Sequence, residues 1–127
     1  MSQVDYWLTS AEHDLDAAQG LWQIKKFDWC LFLGHLVLEK TFKAICAKKH
    51  DETPPRTHNL LLLAEKSGIV LDNNQKLFLE KVNDFNMESR YPDEKLSFYK
   101  LCTETFTREY FDKIKEFYSW LRQEMKL

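Results

Sequence analysis

Glycine, proline and cysteine each occur only three times in 127 residues, and no apolar run approaches the roughly 20 residues a membrane span needs. With so little glycine the sequence holds no G-x-x-x-x-G-K-[ST], no G-x-G-x-x-G and no G-x-S-x-G, which excludes backbone phosphate cradles and nucleophile elbows. Cys30, Cys46 and Cys102 form no C-x-x-C and no Cys/His pair at zinc-site spacing. Cys30 and Cys46 fall in one predicted helix, about 24 Å apart by helical rise, too far to bridge. All three are expected as buried free thiols, with no metal site and no cofactor. Neither charge dominates: 18 basic residues face 20 acidic ones. A net charge of -2 argues against gripping nucleic acid by bulk electrostatics. The start, Met1-Ser2-Gln3-Val4-Asp5, has no basic segment leading into an apolar core, so a cytoplasmic location without membrane contact is expected.

What is abundant is helical periodicity. A chain of this length forms one domain, expected over residues 1–127, and encloses about two-thirds of its unfolded surface. Val4, Trp7, Leu8, Ala11, Leu15, Ala18, Leu21 and Trp22 recur at steps of three and four, and Ser2 with Asp5 supplies a capped start. From Phe27 to about Lys49 apolar residues cover nearly the whole circumference, which predicts a central helix covered on most sides. The pair Pro54-Pro55 breaks the chain. Thr57 or Asn59 can cap a short helix from Leu60 to Lys66 that stops at Gly68, and Asp72 with Gln75 opens another. Residues 86–101 show neither period and are expected as a long ordered loop; Thr103 can start the last helix. The expected fold is all-α, an antiparallel up-and-down bundle of four long helices plus a short fifth. Trp7, Trp22, Trp29 and Trp120 are expected in the core or in helix contacts rather than as base-stacking platforms.

The helical pattern leaves some polar residues unexplained. His35, Glu39 and Lys43 stand at i, i+4 and i+8 on the apolar second helix, with Lys40 beside them. Glu39 and Lys43 alone make an ordinary helix ion pair with an interhelical histidine. The other reading is a cleft in which Glu39 orients a cationic group and lysines meet phosphate oxygens. Arg56, Thr57 and His58 follow the double proline at a helix start, and Arg90, Tyr91 and Asp93 combine a forked donor, an amphipathic ring and a carboxylate. A metal on His35 and Glu39 is disfavoured because Lys43 places a cation on the same face.

Leu38-Glu39-Lys40-Thr41-Phe42-Lys43-Ala44, Thr57-His58-Asn59-Leu60 and Ser89-Arg90-Tyr91-Pro92-Asp93, in this order and with Trp7, Ala11, Asp14 and Ala18 on the first helix, resemble the HEPN domain family. The resemblance implies a helical bundle that dimerises, is often encoded beside an MNT-type nucleotidyltransferase, and in many members is a toxin ribonuclease. The ribonuclease branch carries an Arg, four to six residues, then His; after Arg90 the corresponding positions are Lys95, Leu96 and Ser97. The expectation is therefore a noncatalytic homodimeric module that binds a nucleotide or docks a nucleotidyltransferase. Its binding residues would be His35, Glu39, Lys43, Arg56, His58, Arg90, Tyr91 and Asp93, with Lys43, Arg56 and Arg90 on phosphates. The alternative is a metal-independent ribonuclease acting on RNA with Arg90 and His58.

Overall fold

Most of the helices begin where a short polar side chain stands before an apolar run. The Ser2 hydroxyl accepts from Asp5 N at 3.1 Å and opens α1 (Gln3–Gln23). Asn59 accepts from Leu61 N at 3.1 Å ahead of α3 (Leu60–Ser67). Asp72 and Gln75 form a reciprocal capping box on α4 (Asn73–Asn83), and Thr103 accepts from Phe106 N at the head of α6 (Glu104–Glu124). These helices, with α2 (Phe27–His50) and α5 (Pro92–Leu101), are the only regular elements in the computed structural model among its described residues, 2–88 and 90–125. None of the six is long and apolar enough to cross a membrane.

α2 is the central element, burying 16 of its 24 residues against α1, α3, α4, α5 and α6. α1 reverses into it through a tight turn. Lys26 N donates to Leu21 O at 2.8 Å and Lys25 N to Trp22 O at 3.1 Å, with Lys25 left-handed at φ 63°. This is the Schellman geometry, with lysine where glycine is the usual residue. At the end of α3 that residue is the expected one, Gly68 at φ 77°. Where α2 crosses α6, a Cβ on Gly34 would stand 2.8 Å from Ile114 Cδ1, so the small residue permits the close approach. Aromatic rings fill much of the remaining core. Phe42 meets Phe117 at 6.2 Å between centroids, and Phe85 meets Phe98 at 5.6 Å and Tyr110 at 5.4 Å.

The all-α class, the central second helix and the caps follow the sequence reading. Two expectations do not hold. Residues 92–101 form α5 rather than loop, because Pro92 at the first helical position presets φ and Asp93 and Glu94 occupy the positive end of the helix dipole. Its period is invisible because Phe98 is the one residue of α5 that is buried. Trp29, expected inside or in a helix contact, is 47% exposed and leans edge-on against Phe32 of its own helix.

Candidate functional site

The polar row of α2 faces the segment that enters α3. His35 Nε2 lies 2.9 Å from the carbonyl oxygen of His58, and a carbonyl can only accept, so Nε2 carries the proton. No partner meets hydrogen-bond geometry at His35 Nδ1. Burial pushes the pKa of His35 below its ordinary 6.5, opposed chiefly by Glu39 and by the bond to the His58 carbonyl. One turn on, Glu39 Oε1 accepts from His58 Nδ1 at 2.7 Å and Oε2 from Lys43 Nζ at 3.2 Å. The Lys43 ammonium sits 5.0 Å from the centroid of the Trp7 ring, which closes the network from α1. α2 thus fixes His58 twice, at its carbonyl and at its ring.

Because Nδ1 donates to Glu39, the Nε2 edge of His58 points outward, where Glu88 Oε2 stands 3.3 Å away. The glutamate lies at 5% side-chain exposure and the imidazole at 54%, a buried carboxylate steering a half-exposed imidazole. His58 is also one wall of an open cleft of about 410 Å³ lined by Asn59, Asn83, Asp84, Asn86, Arg90 and Glu94. Two of its asparagines are structural. Asn83 Oδ1 accepts from Leu60 N at 3.0 Å, and its amide donates to Asn59 Oδ1 at 3.1 Å, so both hold the start of α3. Arg90 lines the same cleft: Nε donates to Asn86 O at 3.2 Å and the guanidinium packs 5.3 Å from the Phe98 ring centroid. Its guanidinium is the one permanently cationic group among the residues that line the cleft.

Five of the eight expected residues therefore come together, His35, Glu39, Lys43 and His58 through direct contacts and Arg90 as a lining residue of the cleft that His58 also lines. Lys43 is turned to Glu39 and Trp7 and does not line the cleft. Lys40 likewise pairs with Asp14 of α1 at 2.6 Å. Arg56 is exposed with no ion pair among the described residues, Tyr91 projects into solvent ahead of α5, and Asp93 is exposed on that helix. Glu39 contacts His58 and not Arg90. Ser89, part of the Arg90 motif, lies outside the described residues. Sequence reasoning missed Asn83, Asp84, Asn86, Glu88 and Glu94. They cluster where α4 ends and α5 begins, and nothing in their spacing distinguishes them from an ordinary polar connection. All three cysteines are buried and free as expected, and among the described residues no group of three or more acidic, histidine or cysteine side chains is placed to hold a metal.

The fold and the motifs have counterparts. The crystal structure of TT1696 from Thermus thermophilus superposes with a TM-score of 0.80 at 18% identity, covering 97% of this chain and 98% of that one, a likeness of fold. No curated protein matches the sequence. The family model of the HEPN domain matches residues 4–124, nearly the whole bundle and all three polar motifs, and on that match the chain belongs to the HEPN domain family.

Proposed function

We propose that the protein is a noncatalytic HEPN module that binds a nucleotide in the cleft between His58 and Arg90. The observation that carries this reading is that the Glu39-steered imidazole and the Arg90 guanidinium line one open polar cleft within a single chain. Arg90 meets the phosphate oxygens, Glu39 and His35 hold His58 in place, and Lys43 neutralises Glu39 from behind. Arg56 and Tyr91, outside the cleft, are left for a partner. The absence of a histidine at residues 95–97 supports a binding role, since Lys95, Leu96 and Ser97 supply no imidazole to shuttle a proton near neutral pH. The test is thermal unfolding against ATP, GTP, UTP, CTP and a short RNA, with and without magnesium. A ligand at a hundred times its Kd stabilises the fold by about 2.7 kcal/mol, several degrees in a domain of this size. A shift abolished by Arg90→Ala supports the site; no shift with any ligand sinks it and leaves an MNT-type nucleotidyltransferase as the partner to seek.

One observation favours a second reading. A buried carboxylate on Nδ1 with Nε2 directed outward is the arrangement of an oriented general base, and Arg90 lines the same cleft as a cation for a scissile phosphate. Metal-free cleavage of a labelled RNA that disappears in His58→Ala and Arg90→Ala would replace the binding module with a ribonuclease.

A further inference from the structure

Residues of α4 and α6 line a second open pocket, of about 400 Å³, that shares no lining residue with the His58–Arg90 cleft. Its apolar wall is three rings, Phe78 of α4 with Phe117 and Trp120 of α6. Phe117 lies 5.6 Å from Phe78 and 5.4 Å from Trp120 between ring centroids, tilted by 39° and 62°. It also sits 6.2 Å from Phe42 in the core, which holds the set from behind. Phe78 and Trp120 are only partly buried, so aromatic surface stays open at the pocket.

The charges beside these rings are unbalanced. Two carboxylates, Asp72 and Glu116, line the pocket against one ammonium, Lys113. That ammonium is already engaged, paired with Glu109 at 3.1 Å and 5.4 Å from the Tyr110 ring centroid. Asp72 uses one oxygen to accept from Gln75 N at 2.7 Å, and Glu116 has neither a hydrogen bond nor an ion pair from its side chain among the described residues. Glu116 stands one turn before Trp120 on α6, so carboxylate and ring share a helix face. Ring faces and an unpaired carboxylate both favour positive charge. Among organic cations a guanidinium is the better match, because it is less strongly hydrated than an ammonium, lies flat on an aromatic ring and forks onto a carboxylate. We propose that this pocket binds a guanidinium group, stacked on Trp120 and hydrogen-bonded to Glu116. An anion would meet Asp72 and Glu116, and a neutral ring would leave both carboxylates without a counter-charge. The volume is that of a small-molecule site and takes an alkylguanidinium or an arginine side chain.

This site is separate from the proposed nucleotide cleft and does not rest on it. The experiment is a nitrogen–proton NMR titration of the full chain with n-butylguanidinium chloride at constant ionic strength, followed at the tryptophan indole N–H signals. The Trp120 signal, assigned with Trp120→Phe, should move saturably with a Kd on the order of millimolar, while those of Trp7, Trp22 and Trp29 stay still. Glu116→Gln, on an exposed position, should weaken binding roughly tenfold with unchanged helical circular dichroism. Urea, flat and neutral, should produce no saturable shift, and n-butylammonium should bind more weakly than the guanidinium. A blocked Gly-Arg-Gly peptide separates the two sources of the group: binding at least as tight as n-butylguanidinium assigns the site to an arginine side chain of a protein, weaker binding to a free alkylguanidinium. No saturable shift at Trp120, undiminished binding by Glu116→Gln, or an equal response to urea or n-butylammonium would each overturn the site. Trp120→Leu, read at the Lys113 backbone amide, should abolish binding, and retained affinity in that variant would overturn the stacking on Trp120. The nucleotide screen reads independently, through Arg90→Ala, which leaves this pocket intact.

Discussion

Replacing Glu39 strands two groups at once. Lys43 Nζ would remain in a site where its side chain is only 10% exposed, facing Trp7 without its counter-charge, and the His58 ring would lose its only buried acceptor. Removing one member of a buried pair costs about 3–5 kcal/mol, so Glu39→Leu should lower the unfolding free energy by that amount in a urea titration, and Glu39→Leu with Lys43→Met should recover much of it. Equal losses in the single and double variants would show that Lys43 does not depend on Glu39. His35 gives the network a pH dependence. Its folded pKa lies below the ordinary 6.5, so as pH falls through 6.5 the unfolded chain takes up the proton first, and stability present above that pH is lost. Unfolding free energy should fall by up to about 1.4 kcal/mol per pH unit from this one group, and His35→Gln should flatten the profile between about pH 7.5 and 5. The row His35, Glu39, Lys43 is legible in the sequence because residues four apart share a helix face. Its closure by His58, 19 residues beyond Glu39, is not, since that pairing depends on how the segment entering α3 folds back on α2.

At the scale of elements, the turn between α1 and α2 carries a local conflict. Lys25 holds a left-handed conformation that costs an L-residue roughly 1–2 kcal/mol, and its backbone bonds are those of a motif built for glycine. Lys25→Gly should therefore raise stability by about 0.5–1 kcal/mol, net of the added freedom of the unfolded chain, and the melting temperature by about 2–5 °C. A lower melting temperature would show that the lysine side chain, not its backbone, sets the turn. α5 exposes the opposite limit of pattern reading. Periodicity reports a buried stripe, and a helix anchored by Phe98 alone has no stripe to report, whereas α2 is obvious because it is buried almost all round. The signals that did mark α5, Pro92 at its first position with Asp93 and Glu94 behind it, concern helix starts rather than faces.

Across the whole molecule, the three cysteines report on the integrity of the core. Burial pushes the thiols of Cys30 and Cys102 up to about 12, and Cys46 is also raised. The native protein should react slowly with a thiol reagent near pH 8, and all three groups should become reactive together with the urea transition. Rapid modification of one thiol below the transition would reveal local opening of the structure around it. The same shifts make stability fall as pH rises from about 9 toward 12, because the unfolded chain ionises its thiols first.

The class of fold, the capped starts of α1, α3, α4 and α6, the central place of α2 and three polar motifs are set by local rules: capping chemistry, the 3.6-residue period, and the exclusion of helix by paired prolines. These depend on neighbours within a turn or two, so the order of residues suffices to determine them. Which motif residues meet was decided only by the tertiary structure. Arg90 shares a cleft with His58 from a distant part of the chain, Lys43 turns inward to Glu39 and Trp7, and Arg56, Tyr91 and Asp93 stay outside the cleft, because helix packing rather than spacing fixes which side chains share a cavity and which are left on the surface.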